Sequence, residues 1–150
     1  MRLMPIVSSL LLLSMTGCSM LPPGSLPTST PMPVTPPSGY EPQPGDEKLT
    51  RDQVFLDLGT STVVVDQSHP VQASVNLTGD LSDPCHQLRV VVTPPSGQHE
   101  ITLEVYSLFN PHQACITVLK PFHATIPLGS FAEGHFTVSA NGQIVGEFDA

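Results

Sequence analysis

Three stretches of the chain alternate apolar and polar side chains with a period of two. Val71, Ala73, Val75 and Leu77 interleave with Gln72, Ser74, Asn76 and Thr78. Ile101, Leu103 and Val105 interleave with Glu100, Thr102, Glu104 and Tyr106, and Phe136, Val138 and Ala140 with His135, Thr137 and Ser139. Successive side chains leave a strand on opposite faces, so this period predicts strands with one face buried and the other wet. No window of similar length carries a 3.6-residue helical stripe. Turn-forming clusters separate the runs: Thr78-Gly79-Asp80, Pro94-Pro95-Ser96-Gly97, Phe109-Asn110-Pro111 and Gly129-Ser130. Asn141-Gly142 is the strongest hairpin signal, because both residues tolerate the positive φ of a type I′ turn. Strands are expected near 62–66, 71–78, 86–93, 99–107, 115–119, 134–140 and 143–149, with an additional one at 54–58. About seven short antiparallel strands predict an all-β chain folded as a single immunoglobulin-like β-sandwich, with a small closed barrel as the alternative.

The front of the chain follows other rules. Met1-Arg2 is positive, Leu3 to Met15 is mostly apolar around Leu10-Leu11-Leu12-Leu13, and Met15-Thr16-Gly17-Cys18 closes the segment. The apolar stretch is shorter than the ~20 residues that span a hydrocarbon core, and the pattern is that of a secretory signal. Met15 to Cys18 resembles the lipobox of bacterial lipoproteins, with Met15 where Leu is more common in that family. The resemblance implies cleavage before Cys18 and lipidation of its thiol and its new amine. Two or three acyl chains anchor almost irreversibly, at ~0.8 kcal/mol per buried methylene. Ser19, a non-Asp residue after the Cys, is similar to proteins sent on to an outer membrane. The expected location is a bacterial cell membrane or outer membrane, facing periplasm or exterior.

From Met20 to Asp46 Pro, Ser, Thr and Gly dominate, with prolines at 22, 23, 27, 31, 33, 36, 37, 42 and 44. Pro lacks a donor and restricts its neighbour, so neither helix nor ladder is expected here. A polyproline-like spacer at ~3.1 Å per residue reaches on the order of 80 Å. The domain reading is therefore a signal at 1–17, a lipidated Pro-rich tether at 18–46 and a folded body at 47–150.

Charge narrows the partners. The chain carries 5 basic and 13 acidic residues, a formal net charge of −8. That balance excludes a nucleic-acid binder working by phosphate neutralisation and repels the body from anionic head groups. Removing the signal takes Arg2 with it and makes the balance more negative. Expected partners are the membrane, through the lipid, and a protein or envelope component.

With Cys18 committed to lipid, Cys85 and Cys115 remain, and two thiols in an oxidising compartment normally pair. Cys85, His86, His112 and Cys115 together also offer a tetrahedral Zn²⁺ or Cu⁺ set, although adjacent Cys-His on a strand rarely turns both side chains to one ion. Asp80 and Asp83 in one loop offer a weak Ca²⁺ site, against the common use of Asp to cap its own backbone. The six His are scattered, and HExxH, Cys-x-x-Cys and Gly-x-Ser-x-Gly are absent. No cofactor, no resident metal and no catalytic constellation is expected.

Asp83-Pro84-Cys85-His86-Gln87-Leu88, then Cys115, Pro121-Phe122, Ile126-Pro127-Leu128-Gly129 and the closing run Gly134 to Gly142 resemble an uncharacterised family of bacterial secreted domains over roughly 70–150. His135 and Ala140 stand where Thr and Val are more usual in that family. The resemblance implies a β-sandwich and carries no chemistry. Pro121-Phe122 reads as an edge-strand kink with a core aromatic.

The expected function is a lipid-anchored, non-catalytic binding or structural module of the envelope. Its expected contact surface is the Asn110–Ala114 loop, with Phe109, Asn110 and His112 exposed. The alternatives are a protease-inhibitor-like module and, behind it, a periplasmic metal carrier on the Cys-His set.

Overall fold

The computed structural model describes residues 38–95, 97 and 99–150. Residues 1–37, on which the expected signal, the expected lipidation at Cys18 and most of the expected tether fall, lie outside the described residues. Nine strands and one short 3₁₀ turn, Asp46–Lys48, make up the regular structure among the described residues. No described helix is long and apolar enough to cross a membrane.

The strands form two sheets. The first contains β1 (Thr50–Asp52), β5 (Gln87–Thr93), β6 (Glu100–Phe109), β8 (His135–Ala140) and β9 (Gln143–Asp149). β6 is its centre, with β5 antiparallel along one side. On its other side lie β1, antiparallel at its end, and β8, parallel at its start. The second sheet contains β2 (Phe55–Leu56), β3 (Thr62–Asp66), β4 (Val71–Leu81) and β7 (Lys120–Phe131). Here β4 is the centre, with β7 along one side and β3 and β2 in succession along the other.

The alternating residues meet between the sheets. Val75, Leu77, Ile101, Leu103 and Val138 are fully enclosed, and burying each contributes roughly 1.5–3 kcal/mol against exposure. Phe131, Phe136 and Phe148 form one aromatic cluster with ring centroids 4.8 to 5.2 Å apart. The chain is an all-β sandwich, as the alternation predicted.

Four expectations are corrected. The 115–119 run is not a strand: residues 110–119 form a loop, and Ile116, Val118 and Leu119 stand exposed. The strand of that region is β7, in which Phe122 is half-buried and Ala124, Ile126 and Leu128 are buried. Pro121-Phe122 was expected on an edge strand, and β7 is one: Pro121 and Pro127 have the same strand parity, and a missing donor on the free side of an edge costs nothing. Second, Thr78-Gly79-Asp80 is strand, not turn. Gly79 lies so close beneath β2 that a Cβ would run into the Phe55 carbonyl oxygen and the Phe122 ring. Third, Gly129-Ser130 continues β7 through a bulge, where Gly129 faces Ala73 and Pro127 faces Ser74, leaving Leu128 as the extra residue. Fourth, the sandwich is not wholly antiparallel, because β6 and β8 run parallel.

Residues 38–46, assigned above to the tether, lie on the body. The Val90 N–H donates to the Tyr40 carbonyl at 2.8 Å, and Tyr40 packs against the core. The buried Arg89 donates from Nε and Nη2 to the two Asp46 carboxylate oxygens at 2.7 and 2.9 Å. This bidentate geometry suits guanidinium and carboxylate, and it sets where the chain joins the sandwich.

Candidate functional site

One end of the sandwich is built by the turn from β4 into β5, the end of β6 and the long loop 110–119. In the turn, Asp83 Oδ1 accepts the Cys85 N–H at 2.8 Å, so its carboxylate shapes its own backbone. Asp80 sits back in β4, paired with Phe55 and Pro121, so Asp80 and Asp83 do not share one loop.

Cys85 and Cys115 form a disulfide with a Cα–Cα distance of 6.1 Å. Closing a loop of sequence separation 30 removes about 3–4 kcal/mol of denatured-chain entropy in the chain-entropy description. Both sulfurs are bonded to each other, so the Cys85, His86, His112, Cys115 thiolate set does not exist in the oxidised protein.

His86 is buried beneath this staple. Its ring stacks on Phe109 with centroids 4.8 Å apart and planes at 28°. Nδ1 lies 2.8 Å from Asp83 Oδ1 and Nε2 lies 3.3 Å from Asp52 Oδ2, both at ion-pair range but off the line of a well-directed hydrogen bond. The His86 ring, aided by the Cys85 N–H, holds the Asp83 carboxyl below the usual carboxylate range. The Ser82 hydroxyl reaches Asp52 Oδ2 at 3.3 Å and joins the two sheets across this end. Buried ring, disulfide and two carboxylates thus form a firm floor under the loop.

The three residues expected to make contact have different fates. Phe109 is half-buried on His86, and Asn110 is exposed but spends Oδ1 on the His112 N–H at 3.0 Å. His112 is exposed. The apolar surface lies farther along, where Ile116, Val118 and Leu119 are 69%, 50% and 57% exposed. Phe55, 61% exposed, belongs to the same end, since it faces Asp80 while Lys120, next to Leu119, faces Leu81. Sequence reasoning assigned 115–119 to a strand because its apolar residues alternate. The missed signal was Cys115, which ties that stretch to the turn before β5 rather than to a ladder.

A second depression, of about 840 Å³, lies beside Arg51, Tyr106 and Asn141. The Arg51 guanidinium there is spent on Glu104 Oε1 at 2.6 Å and on the Tyr106 ring at 3.8 Å.

Residues 75–150 match the family described as the ORF11 beta-sandwich domain. The chain belongs to this family. The matched stretch of the ORF11 beta-sandwich domain begins within β4 and runs through β9, so it contains His86, the disulfide and the 110–119 loop. It covers almost the same residues as the resemblance read over 70–150. No curated protein and no solved structure matches the chain.

Proposed function

We propose that this protein is a lipid-anchored envelope module that binds a protein partner through its disulfide-stapled apolar loop. The exposure of Ile116, Val118 and Leu119 on a fixed support carries the reading. Exposed apolar residues gathered on one loop mark interaction sites, and a loop held before binding loses less conformational freedom on docking. The partner is a protein with a matching apolar patch, since the negative balance disfavours nucleic acid and anionic lipid surfaces alike. The body acts by binding and performs no chemistry.

The anchoring half rests on Arg2, Leu10 to Leu13 and the Met15-Thr16-Gly17-Cys18 step. Lipid on Cys18 confines the body to the bilayer surface, and the Pro-rich stretch after it provides standoff.

The test uses the purified exported chain with Ile116→Ser and Leu119→Ser combined. Both sites are exposed, so the melting temperature stays within a degree or two of wild type while retention of the envelope partner falls at least tenfold. Retention unchanged by the double substitution overturns the reading. For the anchor, Cys18→Ala moves the protein from the membrane fraction to the soluble one, and unaltered partitioning refutes it.

A further inference from the structure

His86 is buried, with 6% of its surface exposed, and neither ring nitrogen has a hydrogen-bond partner among the described residues. Buried polar atoms are nearly always paired, so an orphaned ring calls for a reason. A carboxylate oxygen stands beside each nitrogen: Asp83 Oδ1 is 2.8 Å from Nδ1, and Asp52 Oδ2 is 3.3 Å from Nε2. Carboxylate oxygens only accept, whereas a neutral imidazole donates from one nitrogen and keeps a lone pair on the other. With the proton on Nδ1, beside the nearer carboxylate, the Nε2 lone pair faces the Asp52 oxygen. A cation between those two lone pairs relieves the conflict.

The spacing is that of two ligands of one ion. Zinc bonds of about 2.0–2.2 Å to nitrogen and oxygen, at tetrahedral angles, set the two ligand atoms about 3.3–3.5 Å apart. The oxygen then stands about 35° off the axis of the ring lone pair. Asp52 Oδ2 lies at that distance from Nε2 and off the line of a hydrogen bond. Ser82 Oγ is also 3.3 Å from Oδ2.

The surroundings hold these atoms in place. The His86 ring is stacked on Phe109, and its backbone N–H meets the Asp83 carbonyl. Asp83 Oδ1 is itself fixed by the Cys85 N–H, and a carboxylate beside the other ring nitrogen sets the tautomer and direction of metal-binding histidines. Asp52 spends Oδ1 on the Gln53 N–H at 2.8 Å, which leaves Oδ2 for an ion. Its side chain is 43% exposed, so an ion enters from solvent and water completes the shell. Arg51 and Arg89 are engaged by Glu104 and Asp46 and do not neutralise it.

We propose that His86 Nε2, Asp52 Oδ2 and Ser82 Oγ form a zinc site that ties β1 to the turn before β5, with Asp83 orienting the ring. An imidazole ligand selects Zn²⁺ and its late neighbours over Mg²⁺ and Ca²⁺, which take oxygen ligands. The site uses no thiolate, so it exists with the disulfide closed and is separate from the Cys-His set. It stands on its own geometry, whatever binds the loop above it.

The test titrates Co²⁺ and then Zn²⁺ into the purified exported chain with its disulfide closed. One equivalent of Co²⁺ is expected to give the visible bands of tetrahedral cobalt without a thiolate charge-transfer band, and Zn²⁺ to displace it. Nitrogen NMR of the wild-type protein reads the ligand directly: Zn²⁺ shifts His86 Nε2 and leaves Nδ1 protonated. Asp52→Asn keeps the shape of the side chain and is expected to weaken binding by at least about tenfold. His112→Ala and His135→Ala, both at exposed sites, leave the affinity unchanged. Absence of saturable binding, a thiolate band, a shift at another histidine in place of His86, or equal affinity in Asp52→Asn each overturns the proposal.

Discussion

Asn141 completes the hydrogen bonding of Val105 with its side chain alone: Oδ1 accepts the Val105 N–H at 2.8 Å, and Nδ2 donates to the Val105 carbonyl at 2.8 Å. β6 needs this help because on that side it is flanked by β8 only as far as Leu103 and by β1 only from Ser107. The amide fills the interval between two strands as a backbone residue would. The same residue, at φ 49°, opens the two-residue turn from β8 to β9, with Gly142 at φ 81°.

Asn141→Gly keeps the turn and removes the bridge. The Val105 side chain is buried and its backbone groups lose their partner, a loss of about 1–3 kcal/mol. Asn141→Asp keeps an acceptor for the N–H but sets a carboxylate against the Val105 carbonyl, and is expected to be worse than Gly. Urea denaturation of the three proteins checks the order.

Removing the staple destabilises the body. Cys85→Ala with Cys115→Ala is expected to cost about 2–5 kcal/mol, near the value for a loop of this size. Denaturation with and without reductant reads the effect in wild type, and the double variant must be insensitive to reductant.

Acid weakens the entry segment. Arg89, then the Gln43 N–H, holds the Asp46 carboxyl below its ordinary 3.8. A depressed carboxyl contributes stability that is full above the unfolded value and fades as pH falls through the folded one. Unfolding midpoints followed below about pH 4 are expected to drop, and Asp46→Asn is expected to flatten that drop while lowering stability at neutral pH.

His135 behaves in the opposite sense. Hydrogen bonding to Asp149 at 2.7 Å, with Glu147 nearby at 3.4 Å, raises its pKa above 6.5. Its contribution is present below 6.5 and is lost as pH rises through the higher folded value. The pair is exposed, so the gain is small and shrinks in salt. An NMR titration of the His135 ring should show a raised midpoint that Asp149→Asn returns toward 6.5.

Much of the fold was legible because a half-buried strand writes its face into every second residue, as at Val75–Leu77 and Ile101–Val105. The exceptions share a cause: local signals were overruled by what lay beside them in space. Gly79 reads as a turn until β2 is seen pressed against it, and Pro121, read as an edge-strand kink, did not reveal that β7 runs on through Pro127 to Phe131. The Arg89–Asp46 clasp joins residues far apart in sequence, and nothing local announces it. At the site, the pairing of Cys85 with Cys115 was expected from the export reading, under which two remaining thiols normally pair. The position of the apolar surface was not, because Ile116 and Val118 carry the same period as a half-buried strand.

The central claim, that the stapled loop is the contact surface of a membrane-tethered body, is tested most directly by photo-crosslinking in the native envelope from position 118. The expected result is one discrete protein adduct, competed away by purified body with the wild-type loop and not by body carrying Ile116→Ser and Leu119→Ser. An identical adduct pattern from a crosslinker at position 64, on β3 away from the loop, or equal competition by both bodies, would contradict it.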